Sequence, residues 1–295
     1  MADMAPYLLR LALYLVLMLL FGQALQRRAT ARPRTTGVLL LATLLLVVVE
    51  AITRLCSVLG TGWAGVDADS ALWYFGSMPV GRAALLCTAA LLGCLGLLGL
   101  RRLHGTTRQT EFAVLAATAL GSLAWNGHAT AGEGLLGQLR LLGGIVHLLA
   151  AGAWVAAIAG LLARTLHWRG AGLRERALAL QQALHDFAWP GTVIVVVLAV
   201  TGSYSYVDMD GTLATLAGTA HGHWLLLKLA LVAGMLGLAA LHRWRLVPAL
   251  RAALADPAQT AKAASRLRAS LACEARLVVL VLACVAVLGT LDPLS

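Results

Sequence analysis

A histidine inside an apolar stretch is the first residue whose chemistry needs explaining. His147 is embedded among leucine, valine, isoleucine, alanine and glycine. A polar side chain is costly in such surroundings, so it must have a structural or functional reason. The small residues at three- and four-residue steps around it predict close packing against a neighbouring helix. This stripe consists of Gly143, His147, Ala151 and Trp154.

A second histidine ends the preceding apolar run, in Trp125-Asn126-Gly127-His128-Ala129. A short connection predicts that the two helices are antiparallel neighbours, which would bring His128 and His147 into one site. Two imidazoles are good ligands for copper, as Cu(I) or Cu(II), and Trp154 would pack against that site. The alternative is that His147 only hydrogen-bonds a neighbouring helix, while His128 faces water.

Further soft or nitrogen ligands lie in the same set of connections. His221 and His223 form a His-x-His pair, and Met78 and Met209 offer thioethers, which select Cu(I). These four are weaker candidates, because an exposed His-x-His pair needs no metal. The other histidines fall among arginines and are predicted to be interfacial: His104, His167, His185 and His242.

Charged residues inside apolar runs are predicted to support the site or the fold. Glu50 precedes Arg54 by one helical turn, so the two can form an ion pair. Lys228 and Arg10 can extend toward the outer surface, and Lys228 would tune the charge near the copper site. Glu274 either joins a proton or ion path or has an interfacial role.

These residues must be positioned by membrane helices. Of the 295 residues, 60% are hydrophobic and 12% are charged, whereas soluble domains are about half apolar and a quarter charged. The pattern predicts an all-α polytopic bundle of about eight transmembrane helices in one integral-membrane domain over 1–295. The predicted spans are 6–25, 37–59, 79–100, 111–127, 139–164, 186–206, 223–242 and 272–291.

Arginine and lysine cluster in alternate connections, so the positive-inside rule predicts that both termini are periplasmic. The net charge of +10 then reflects topology, and no nucleic-acid partner is expected. The Ala- and Arg-rich stretch 245–271 is predicted to be an amphipathic surface helix. A phosphate-binding loop and a Ser-His-Asp arrangement are both missing, so neither an ATP-driven pump nor an enzyme is expected.

Several segments together resemble the CopD family of bacterial copper-resistance and copper-uptake membrane proteins. The likeness covers about 120–291, whereas the first hundred residues match mainly in helix count. The segments that carry it are Gly127-His128-Ala129, His147-Leu-Leu-Ala-Ala-Gly-Ala-Trp154, Thr201-Gly202, Leu225-Leu-Leu-Lys228, Ala240-Leu-His-Arg243-Trp-Arg245-Leu-Val-Pro248, Glu274 and Leu288-Gly-Thr290-Leu.

The resemblance implies copper movement across the inner membrane, alongside a periplasmic copper-binding partner, CopC. Some family members carry that partner as a fused domain, for which this chain has no room, so a separate partner is expected. The chain departs from the family pattern at His221 and His223, where an aromatic and a basic residue are usual, and at His242, where Asn is frequent.

Two other functions stay open on the sequence alone. A haem-binding electron-transfer protein or metalloreductase would need histidines facing each other across neighbouring helices. A copper chaperone for oxidase assembly would bind copper without moving it across the bilayer.

Overall fold

The computed structural model describes residues 4–26, 33–99, 105–126, 134–165, 172–208 and 212–291. Within these ranges every regular element is helical, which confirms the all-α fold. The α-helices are α1 (Ala5–Leu25), α2 (Pro33–Leu59), α3 (Ala68–Ser77), α4 (Pro79–Gly99), α5 (Gly105–Gly121), α6 (Gly134–Thr165), α7 (Leu173–Asp208), α8 (Leu213–Gly218), α9 (Ala220–Leu241), α10 (Val247–Ala252) and α11 (Pro257–Leu288).

Among the described residues, 7 helices are long and apolar enough to cross a membrane. The remaining predicted span, 111–127, corresponds to α5, which has 17 residues and rises only about 25 Å. A 3-10 segment, Ser122–Asn126, extends it. The chain is therefore a polytopic membrane protein. Of the eight predicted spans, only the one that corresponds to α5 is shorter than a typical membrane-crossing helix among the described residues.

Most helices begin earlier in the chain than the hydropathy pattern predicts. The largest differences are at α7, which begins at Leu173, and at α11, which begins at Pro257. The prediction of a separate surface helix over 245–271 is wrong for its second half, because α11 already begins at Pro257. The Asp256 carboxylate accepts hydrogen bonds from the backbone N–H groups of Ala258 and Gln259, so the helix is capped at that point.

The chain divides into two compact units, one comprising 1–153 with 197–211 and the other 154–196 with 212–295. In the first unit, α1 packs against α2 and α5, and α4 packs against α2, α3 and α5. A Cβ atom at Gly81 of α4 would overlap the carbonyl oxygen of Tyr74 in α3. Only glycine permits this approach, which holds Tyr74 in the interior of the unit.

In the second unit, α9 packs along α11. A single π-helical turn, His242–Leu246, follows α9 and leads into α10. A leucine-rich core then joins residues from α6, α7, α10 and α11. Its members are Leu161, Ala177, Leu180, Leu250, Ala264, Leu267 and Leu271.

Candidate functional site

The imidazole of His147 contacts α7 within the first unit. Because α6 spans Gly134–Thr165, His147 lies near the middle of the helix. Its Nδ1 atom is 2.8 Å from the hydroxyl oxygen of Thr201. A Cβ atom at Gly202 would lie 3.5 Å from the imidazole Cε1 atom. The predicted packing of this part of the stripe against a helix is therefore confirmed.

The hydroxyl group of Thr201 favours one tautomer of the neutral His147 ring. Thr201 donates its only hydroxyl proton to the carbonyl oxygen of Val197, at 2.6 Å. It can then only accept from His147, so Nδ1 carries the ring proton and the lone pair of the neutral imidazole is on Nε2. A histidine whose second nitrogen donates to a fixed acceptor is the usual form of a metal ligand.

The second ligand of the predicted pair, His128, lies outside the described residues, as does Met209. Helices α5 and α6 do contact each other, because a Cβ atom at Gly121 would lie 3.2 Å from Ile145. Within the described ranges, no three His, Cys, Asp or Glu side chains form a metal-binding group. The copper site of His128 and His147 therefore stays a prediction.

The His-x-His pair belongs to the first turn of α9 rather than to a loop. The His221 side chain is buried. The His223 Nε2 atom is 2.8 Å from the carbonyl oxygen of Ala217 in α8, so this imidazole is engaged with the backbone. Met78 ends α3 in the first unit, whereas the two histidines belong to the second. Their roles as ligands also stay predictions.

A buried polar cluster in the second unit was only partly anticipated. The Nδ1 atom of His242 is 3.5 Å from the Oε2 atom of Glu274, and its Nε2 atom is 2.8 Å from the hydroxyl oxygen of Ser270. The side chain of Trp154 hydrogen-bonds the Glu274 carboxylate. His242 and Glu274 are 5% and 4% exposed. Both side chains are thus buried against neighbouring helices, and their interfacial depth stays a prediction.

The structure also bears on two supporting residues, Trp154 and Lys228. Trp154 was expected to pack against the copper site, but its indole N–H is directed to Glu274 of α11. Lys228 was expected to extend toward the outer surface. Its side chain is partly exposed, and its extension toward the outer surface stays a prediction.

The first unit contains its own buried ionic cluster. The Oε1 atom of Glu50 is 2.6 Å from Nε of Arg54 and 3.5 Å from Nε of Arg10. The predicted pair of Glu50 and Arg54 is confirmed, whereas Arg10 turns to Glu50 rather than to the surface. Glu50, Arg54 and Tyr74 line a small cavity of about 20 Å³. It has room for about one water molecule.

The residues missed from sequence were Thr201 as the partner of His147, His242 as the partner of Glu274, and Ser270 as the partner of His242. Ser270 and Glu274 are four residues apart, which places them on one face of a helix. That spacing was a usable signal for a polar face on α11. His242 lies on a different helix, so no spacing in the sequence could connect it to that face.

Comparison with known proteins covers both parts of the chain. The family model for copper resistance protein D matches residues 181–288, and the model for the copper resistance protein D-like N-terminal domain matches residues 1–138. The likeness thus includes the first hundred residues, whose resemblance from the sequence alone is mainly in helix count.

Two relatives were found among curated proteins. Copper resistance protein D of Pseudomonas syringae pv. tomato is 30% identical over 308 aligned residues, covering 99% of this chain and 98% of that protein. Inner membrane protein YebZ of Escherichia coli K12 is 28% identical over 199 residues, covering 65% of this chain and 64% of that protein. No solved structure matches. The resemblance seen in the sequence is confirmed: the chain belongs to the copper resistance protein D family.

Proposed function

We propose that this protein binds a copper ion through His128 and His147 at the periplasmic side of the bacterial inner membrane and passes the ion across it. The family supports a role in copper resistance or homeostasis. The membrane-length helices and the inner-membrane relative support the location. In this proposal both termini are periplasmic, and copper is cargo that undergoes no chemical reaction.

The hydrogen bond between His147 and Thr201 is the observation that carries the proposal. It holds the imidazole in the tautomer whose Nε2 lone pair can coordinate a metal. It also fixes the ring orientation, since Nδ1 is tied to α7. A ligand prepared in this way loses little freedom when the ion binds.

Copper would reach this site from a separate periplasmic carrier of the CopC type. An imidazole site suits such a transfer, because nitrogen ligands accept Cu(II) as well as Cu(I). His221, His223, Met78 and Met209 would assist capture at the outer surface. Lys228, Glu50 and Glu274 would serve the structure and charge balance of the helices rather than coordinate copper.

The direct test is copper accumulation in cells that express the wild type or His147→Ala. The variant should lose copper-dependent accumulation while its membrane expression is unchanged. The matched control is His185→Ala, since His185 is an exposed histidine of α7. Unchanged accumulation in His147→Ala would contradict the proposal.

Two further measurements decide between transport and the alternatives. A strong Soret band in the absorption spectrum of the purified protein would favour a haem protein over a copper transporter. In reconstituted vesicles, a transporter moves copper to the other side, whereas a chaperone binds copper and leaves the internal concentration unchanged.

A further inference from the structure

The surroundings of Glu274 differ from those of an ordinary buried acid. Glu274 and Ser270 lie one turn apart on α11, and the imidazole of His242 spans the two. His242 is the first residue of the π-helical turn, a distortion that is frequent at functional sites. The third helix of the cluster, α6, contributes the indole of Trp154.

No arginine or lysine neutralises Glu274 within the described part of this unit. The basic side chains of α6, α7, α10, α11 and the π-helical turn in this unit are all exposed, and Lys228 on α9 forms no ion pair with Glu274. These exposed residues are Arg164, Arg174, Arg176, Arg243, Arg245, Arg251, Lys262, Arg266, Arg268 and Arg276. An isolated carboxylate is costly in such surroundings, so a proton is the partner that can compensate its charge.

The same side chains can satisfy Glu274 with and without that proton. When the carboxyl group is ionised, the indole of Trp154 donates to it and a protonated His242 can supply the opposite charge. When the carboxyl group is protonated, a modest ring movement from the present 3.5 Å would let its O–H donate to Nδ1 of His242. Nε2 of the imidazole then donates to the hydroxyl oxygen of Ser270.

We propose that His242 and Glu274, with Trp154 and Ser270, form a proton-binding site inside the helices of the second unit, and that the site gains or loses a proton as copper crosses the membrane. The coupling to copper rests on the proposed transport function. The proton-binding site itself does not, because it is built from groups separate from the predicted copper ligands.

Infrared spectroscopy of the purified protein tests the proton site without copper. The wild type should show the C=O stretch of a protonated carboxyl group that disappears as the pH is raised. Glu274→Gln should lack this band, and the control Glu175→Gln should keep it, because Glu175 is exposed on α7. Persistence of the band in Glu274→Gln, or its absence from the wild type at every pH at which the protein is folded, would overturn the proposal.

A second variant separates proton binding from a purely structural role. His242→Asn retains a hydrogen-bonding partner for Ser270 but removes the base beside Glu274. The carboxyl band should then persist to higher pH than in the wild type, because no imidazolium can stabilise the carboxylate. An unchanged midpoint would remove His242 from the site.

Vesicles loaded with a pH-sensitive dye test the coupling. Copper added outside should change the internal pH with the wild type, and Glu274→Gln should abolish that change. Copper entry with no pH change in the wild type would contradict the coupling. If the wild type moves no copper, the transport function fails, while the infrared result still decides whether the proton site exists.

Discussion

Two buried glutamates occupy the two units of this protein in opposite electrostatic surroundings. Glu50 lies between the guanidinium groups of Arg54 and Arg10. Glu274 instead contacts an imidazole and an indole, and the imidazole also hydrogen-bonds the Ser270 hydroxyl group. A carboxylate beside permanent cations is a fixed ionic link, whereas one beside neutral polar groups can change its protonation. We therefore expect the first cluster to be structural and the second to change its protonation.

The largest expected effect comes from breaking the ionic link of the first unit. Glu50→Gln should lower the free energy of unfolding by about 3 kcal/mol, because two guanidinium groups lose their buried carboxylate. Glu274→Gln should cost less than about 1 kcal/mol, since the amide oxygen can still accept from Trp154.

Unfolding by SDS in mixed micelles would measure both variants. Glu175→Gln, on an exposed part of α7, is the matched control. Equal losses for the variants at positions 50 and 274 would remove the distinction between the two clusters.

The second largest loss of stability is expected where α4 packs closely against α3 in the first unit. Gly81→Ala should destabilise the protein by about 2 kcal/mol, because the added methyl group overlaps the Tyr74 carbonyl oxygen and must push α3 from α4. The same unfolding assay measures the loss. The control is Gly96→Ala, where the added methyl group meets nothing within 4 Å. Equal stability of the two variants would show that the close contact between α3 and α4 does not contribute measurably to the stability of the protein.

A smaller effect is expected at the indole of the second unit. Trp154→Phe should cost about 1 kcal/mol, because one side-chain hydrogen bond inside the membrane is lost while most of the apolar surface is kept. It should also raise the pH at which the carboxyl infrared band of Glu274 disappears, since the donor to the ionised form is gone. A loss of stability without that shift would mean that Trp154 only packs in the unit.

The smallest effect lies at the exposed start of α11. Backbone N–H groups of Ala258 and Gln259 lower the pKa of Asp256, so its stabilising contribution exists at neutral pH and is lost as the pH falls through the folded-state pKa. Asp256→Ala should be slightly less stable than the wild type at pH 7, and the difference should shrink in strong acid. Thermal unfolding as a function of pH measures it. A pH-independent difference would contradict the capping role.

The helical membrane fold could be predicted from the sequence, because apolar runs of about 20 residues indicate helices surrounded by lipid. The ends of the helices could not be predicted from hydropathy alone. The first halves of α7 and α11 are polar, yet they continue the membrane helices that follow them. The pair of Glu50 and Arg54 was predictable, since helical spacing alone places them together. The contacts of His147 with Thr201 and of His242 with Glu274 join different helices, and only the tertiary arrangement specifies them.

The π-helical turn determines the direction around the helix axis in which the residues after it point. In a regular α-helix, residues eight positions apart, such as His242 and Leu250, diverge by about 80° around the axis. The wider turn at His242–Leu246 takes up one extra residue, so the divergence falls to about 20°, that of residues seven apart. One side of a continuous segment can therefore present an imidazole to Ser270 and, further along, a leucine to Leu267 and Leu271. If one residue of the turn were deleted, the segment could keep either the contact of His242 with Ser270 or the packing of Leu250 in the leucine-rich core, but not both.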